Sequence, residues 1–176
     1  MFVSFSIQGA YFWCFGIIGL QDVGSIYAEI VNIRTSVNVS SDSGSQIGSL
    51  FGYEYARNCS VQNTSVVGGN INSKNLNTTW VGGFIGLQDN NLTIINSSLQ
   101  LTNITGYTYV GGFVGYCFQS LYLINSKIQQ VRLSGSSVGI VTSSGSVYLT
   151  NSSSTQIFVN GVLKSDCAVL SNANGC

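Results

Sequence analysis

An internal repeat limits what this chain can fold into. Val81-Gly82-Gly83-Phe84-Ile85-Gly86-Leu87 returns as Val110-Gly111-Gly112-Phe113-Val114-Gly115-Tyr116. Each copy leads into a second recurring piece, Leu92-Thr93-Ile94-Ile95-Asn96-Ser97-Ser98-Leu99 and Leu121-Tyr122-Leu123-Ile124-Asn125-Ser126-Lys127-Ile128. Weaker copies align on the last glycine of the motif. They are residues 14–20 with Gly16 and Gly19, residues 47–53 with Gly48 and Gly52, and residues 137–143, where Thr142 replaces glycine. Gly19, Gly52, Gly86, Gly115 and Thr142 then stand 33, 34, 29 and 27 residues apart. Asn32, Asn63, Asn96, Asn125 and Asn151 keep step at 31, 33, 29 and 26.

Periods of this length belong to solenoids or propellers, and a propeller blade needs about 40–45 residues. The units are rich in β-branched and aromatic residues and glycine, without a sustained 3.6 period, which excludes helical solenoids. The expected fold is therefore all-β: a parallel β-solenoid (β-helix) of about five coils, 26–34 residues each, over residues 1–163. A tail, 164–176, follows and carries Cys167 and Cys176. At about 4.8 Å per coil the stack is about 24 Å tall.

In such a stack like residues lie above one another. Period two puts Leu92, Ile94 and Asn96 on one strand face, with Cys59, Val61, Asn63, then Leu121, Leu123, Asn125, then Val147, Leu149, Asn151 in the same columns. The reading is an apolar column beside an inward asparagine ladder in which each amide donates to the next. The alternative is a row of turn asparagines facing water. In the glycine motif Val81, Gly83, Ile85 and Leu87 form one face and Gly82, Phe84 and Gly86 the other. Both are apolar, which predicts a strand covered on both sides. The phenylalanine column reads Ile17, Leu50, Phe84, Phe113, Ile140.

Residues 1–21 carry no charge. A signal peptide would want a basic start, and Ser4, Ser6, Gln8 and the glycines dilute the run for a membrane span. Residues 14–20 instead read as an opening coil, entered midway, and on that reading a fragment of a longer array is one of the expected alternatives. A membrane partner is expected only if this stretch is an anchor.

Charged residues make up 7% of the chain, six basic and six acidic, so the net charge is zero. No basic surface can neutralise phosphates, which argues against nucleic acid. With 44% hydrophobic and 11% aromatic residues the chain can bury enough to order. Histidine is absent, which removes Ser-His and Cys-His nucleophile systems and the commonest metal ligand. No cofactor or metal motif is present. Asp22, Glu29, Asp42, Glu54, Asp89 and Asp166 are the only carboxylates. Glu54 and Asp89 each follow a glycine motif and are placed on one side of the stack; solvated loop residues are the simpler reading of both.

Five cysteines, an odd number, exclude a complete internal disulfide framework. Cys167 and Cys176 could close a loop in an oxidising compartment, and Cys14, Cys59 and Cys117 read as free thiols. Sequons begin at Asn38, Asn58, Asn63, Asn77, Asn91, Asn96, Asn103 and Asn151. If the asparagine column points inward, Asn38, Asn77 and Asn91 are the accessible glycan sites and Asn63, Asn96 and Asn151 are not.

At its glycines the sequence resembles the GLUG-type repeat, a Gly-Gly-Leu-Val-Gly core followed by a short β segment. Residues 81–87 and 110–116 match it with Phe for Leu, and residues 47–53 carry Ser49 for the second glycine. The resemblance implies a spacer or adhesive module of secreted and surface proteins and assigns no catalytic residue. The expected function is a non-enzymatic structural or adhesive module, extracellular or at the cell surface, with proteins or surface glycans as partners. The alternatives are a carbohydrate-binding or carbohydrate-active β-helix, and a fragment without independent activity.

Overall fold

The computed structural model describes the backbone at residues 2–9, 14–15, 18–21, 27–43 and 45–167, and side chains at 29–43 and 45–164. Every regular element among these is a β-strand, and the strands stack as a parallel β-solenoid. One winding runs Ser65–Ser73, Trp80–Gly82, Ile85–Gln88, Asn91–Ile95 and returns as Ser98–Thr105 beside its own start. Four sheets result. Sheet A holds Phe2–Gly9, Arg34–Ser41, Ser65–Ser73, Ser98–Thr105, Lys127–Gln129 with Arg132–Ser134, and Ser153–Val159. Sheet B holds Cys14–Phe15, Gln46–Ile47, Trp80–Gly82, Tyr109–Gly111 and Ser137–Gly139. Sheet C holds Ile18–Gln21, Phe51–Glu54, Ile85–Gln88 and Val114–Cys117; sheet D holds Tyr27–Val31, Asn58–Gln62, Asn91–Ile95, Ser120–Ile124 and Ser146–Thr150.

The columns in sheet D fall where the sequence puts them. Cys59, Leu92, Leu121 and Val147 are in register, as are Val61, Ile94, Leu123 and Leu149. Phe84 and Phe113 are neighbours on adjacent windings, ring centroids 4.8 Å apart and edge to face, and both are fully buried.

The glycine motif is not one strand. It bends at Gly83-Phe84, so Trp80–Gly82 and Ile85–Gln88 are two arms in different sheets. A Cβ on Gly82 would lie 2.1 Å from the Ile85 carbonyl oxygen, and one on Gly86 would lie 2.4 Å from Ile47 N. Removing the side chains lets the arms touch backbone to backbone. What covers the outer side of one arm is the other arm and its copies.

The outer copies of the motif pair differently from their alignment. In the first, Phe15 pairs with Ile47 and Ile18 with Phe51. Two residues therefore span the corner where three do so in the next coil, and sheet B is displaced by one. Gly16 and Ile17 lie outside the described residues, whereas Gly19 lies opposite Gly52 as expected. In the fifth copy Val138 pairs with Val110 and Gly139 with Gly111, and Thr142 bridges to Val114. Val141 rather than Ile140 follows Phe113, whose N–H donates to the Val141 carbonyl. The Val-Gly pair sets the register because the close approach of the arms is made there: a Cβ on Gly111 would sit 1.8 Å from the Val114 oxygen.

The inward asparagine column is overturned. Asn32, Asn63, Asn96, Asn125 and Asn151 all have φ between 46° and 58° and face solvent. A left-handed residue breaks strand alternation, so the side chain two positions after Ile94 no longer shares its face. Asparagine is among the few non-glycine residues that enter this region readily. The residue that follows turns inward in its place.

The last strand of sheet A turns at Asn160-Gly161, both left-handed, and Val162–Cys167 runs back antiparallel beside it. This strand crosses the boundary expected at 163/164 and pairs an edge that would otherwise stay open.

Candidate binding surfaces

Stacked polar residues shape both the inside and the outside of this molecule. Inside, Thr64, Ser97, Ser126 and Ser152 follow four of the five corner asparagines and are buried, whereas Ile33 follows Asn32. Ser97 Oγ accepts from Thr64 N at 3.1 Å, Ser126 Oγ from Ser97 N at 3.1 Å, and Ser152 Oγ from Ser126 N at 3.2 Å. Each hydroxyl donates in turn to the carbonyl two residues before it, at 2.8–3.1 Å. The ladder thus satisfies backbone N–H groups that the corner would otherwise leave buried and unpaired. The Asn-Ser/Thr dipeptide was its visible signal. The asparagines form only a partial outer ladder, with Asn96 Nδ2 donating to Asn63 Oδ1 at 3.3 Å.

Glu54 is enclosed rather than poised over a groove. It is fully buried in sheet C, with Gln88 beside it in register and Cys117 beyond. Oε1 accepts from Ala56 N at 2.6 Å and Oε2 from Gln88 Nε2 at 2.7 Å. Burial pushes its proton affinity up; the Gln88 and Ala56 hydrogen bonds oppose this, and the charge of Asp89 adds to it. Asp89 lies one residue past Gln88, half-buried, so the two carboxyls are neighbours but do not face a common cleft. Gln88 Oε1 is buried without a partner. Cys59 and Cys117 are buried free thiols. Burial raises both, Cys117 to about 11, which makes them poor nucleophiles. Cys14, Cys167 and Cys176 have no described side chain. No group of three metal-ligating side chains forms among the described residues.

Outside, like residues repeat at the coil spacing. Asn70 N and Nδ2 both donate to Asn38 Oδ1, at 2.9 and 3.3 Å, and Asn103 Nδ2 donates to Asn70 Oδ1 at 2.9 Å. Gln130 Nε2 donates to Gln156 Oε1 at 2.9 Å. On sheet D the exposed Tyr122 and Tyr148 stack at 4.9 Å and 13°. Trp80 and Tyr109 lie nearly parallel at 6.4 Å, and Trp80 with Ser43, Ser45, Asn75, Asn77 and Thr78 lines a cleft of about 570 Å³. A second cleft, of about 510 Å³, lies at the far end of sheet A among Leu101, Asn103, Gln130, Arg132, Gln156, Phe158 and Leu163.

The glycines singled out by the repeat are architectural: Gly48, Gly82, Gly83, Gly86, Gly111, Gly112 and Gly115 each stand where a Cβ would meet backbone closer than 3 Å. Of the glycan sites, Asn77 is exposed in a loop. Asn38 is exposed but in a strand with its carbonyl engaged by Asn70, and Asn91 is half-buried where its strand begins. Asn63, Asn96 and Asn151, expected to be closed, are open to solvent. No family model matches the chain, and no curated protein or solved structure matches it.

Proposed function

We propose that this chain is a non-enzymatic structural and adhesive module of a secreted or cell-surface protein, working through the side wall of its coil stack. The observation that carries the reading is the repetition of uncharged polar and aromatic groups along the outside: Asn38-Asn70-Asn103, Gln130-Gln156, Trp80-Tyr109 and Tyr122-Tyr148. A solenoid offers an extended surface of this kind. Amides supply donors and acceptors for hydroxyl-rich ligands, and ring faces supply stacking area. The resemblance to GLUG-type repeats and the Ser/Asn/Thr-rich, charge-poor composition support the extracellular placement. Surface glycans are the preferred partner class. A carbohydrate-cleaving reading needs two carboxyls flanking one bond, and the enclosure of Glu54 favours adhesion over it.

The test displays the chain on glycan and matrix-protein arrays and locates it in intact cells by surface labelling. Binding that falls when Tyr122 and Tyr148, or Trp80, are replaced by alanine supports the reading. A chain that binds nothing on the arrays, or that labels only after the cells are opened, overturns it.

A further inference from the structure

One outward column of sheet A changes character at its far end. From coil to coil it reads Asn38, Asn70, Asn103, Arg132, Phe158. The first three pass hydrogen bonds from amide to amide. At the fourth coil a guanidinium takes over, its Cζ 4.9 Å from the centre of the Phe158 ring in the next coil. Lys74–Asp42 is the one ion pair among the described residues. Arg132 is exposed and, among the described residues, has no acid paired with it and no protein acceptor for its guanidinium. Stacking on Phe158 holds a charged fork in place with its N–H groups unused.

The groove around it is furnished for a small polar ring. Among the described residues, the Gln130-Gln156 bond leaves the Gln130 carbonyl and the Gln156 amide N–H groups unpaired, and Asn103 keeps its carbonyl. Leu101 and Leu163, 56% and 54% exposed, supply apolar surface from two sides, the latter from the antiparallel closing strand. We propose that this groove binds a carboxylate-bearing sugar, a uronic-acid unit of a glycan. Arg132 takes the carboxylate as a bidentate pair, the three amides take ring hydroxyls, and Leu101 and Leu163 cover a ring face. A polyphosphate or heavily sulfated chain would want a cation at each coil, and this column offers one guanidinium. The inference rests on the adhesive reading for its ligand class and goes beyond it in naming the site and the charge.

The test titrates the full chain, by calorimetry at neutral pH, with trigalacturonate, a neutral trigalactoside and a sulfated trisaccharide. Trigalacturonate is expected to bind about tenfold or more tightly than the neutral sugar. Arg132→Gln should erase that margin, and Arg132→Lys should restore only part of it, because the bidentate fork is gone. Gln156→Ala, which leaves the Phe158 stack intact, should weaken binding several-fold without lowering Tm; this separates recognition from packing. Equal binding of the neutral sugar, preference for the sulfated one or for an acidic peptide, or an unchanged Arg132→Gln overturns the proposal. If trigalacturonate fails while array binding through Tyr122 or Trp80 persists, the groove is lost and the adhesive wall stands. If trigalacturonate binds but surface labelling fails, the wall is lost and the groove stands.

Discussion

The same coil turns two corners by opposite means. At the glycine corner side chains are absent, and the arms on either side press backbone against backbone, as at Gly82 and Gly111. At the asparagine corner side chains do the work: the left-handed residue faces water and the hydroxyl after it ties one coil to the next. A corner made by absence has no slack, since the atoms in the way belong to the main chain. A corner made by side chains weakens in steps as they are changed.

The sharpest way to break this comparison is Gly111→Val. Its Cβ would stand 1.8 Å from the Val114 carbonyl oxygen and 2.9 Å from Thr142 Cα. Neither is a flexible side chain that can swing aside. The cost should exceed about 4 kcal/mol, the range reserved for broken cores and backbone clashes. Circular dichroism should show loss of the cooperative β melt. A Gly111→Val chain that melts like the wild type would mean the arms are farther apart than described. Gly161→Ala, with nothing within 4 Å but φ +81°, should cost only about 1 kcal/mol for the left-handed backbone.

The hydroxyl ladder gives the next effect. Ser126→Ala removes the acceptor of the Ser97 N–H, which is buried beside it. Leaving that donor unsatisfied costs about 1–3 kcal/mol, readable as a fall in the midpoint of urea unfolding. Ser126→Thr should be close to neutral, because Thr64 already holds the equivalent place. If alanine and threonine behave alike, the ladder carries no stability.

These corners also mark where the sequence stopped being legible. Coil spacing, the apolar columns of sheet D and the Phe84-Phe113 contact depend on matching residues in adjacent windings, and those matches are visible in one dimension. Whether the glycine motif bends is not. Val-Gly-Gly-Phe-Ile-Gly-Leu has the alternating apolar pattern of a continuous strand, and only the close approach of its arms shows two. The outward turn of the asparagine column is hidden because strand parity does not carry past a residue with positive φ. The fifth copy sits one residue away from its alignment on the last glycine, because the Val-Gly pair and not that glycine holds the register. The Arg132 groove had no motif: Leu101, Gln130 and Phe158 come from different coils with unlike local sequence, and only the register brings them together.

Glu54→Gln sharpens the view of the buried column between the corners. Because burial lifts Glu54 above its ordinary 4.5, the folded chain holds that proton more tightly than the unfolded chain. The sign follows: stability falls as pH rises from the unfolded value through the folded one. In Glu54→Gln that loss is absent. Its Oε1 can still accept from Ala56 N, and Gln88 can turn its unpartnered Oε1 toward the new amide. The variant should melt above the wild type at pH 7, with the gap closing toward pH 4. A parallel pair of Tm curves across that range would show that Glu54 does not titrate differently in the fold.

The smallest effect tests the left-handed columns themselves. Sheet A bends in mid-strand at Gly68, Leu101, Gln130 and Gln156, with φ of 78°, 52°, 53° and 54°. Leucine pays for this conformation with a Cβ-carbonyl clash of about 1–2 kcal/mol, which asparagine relieves in part and glycine more fully. Leu101 is also exposed, so little packing is lost on replacement. Leu101→Asn should therefore stabilise the fold by about 0.5–1 kcal/mol, whereas Asn96→Ala, at φ 48°, should destabilise it by about as much. Asn96→Gly, which also loses the amide but suits the left-handed backbone, should cost less than Asn96→Ala, and that order would show that backbone strain, rather than the amide ladder, decides which residue the corner tolerates. If Asn96→Gly costs as much as Asn96→Ala, the weak 3.3 Å bond to Asn63 matters more than the geometry of the turn.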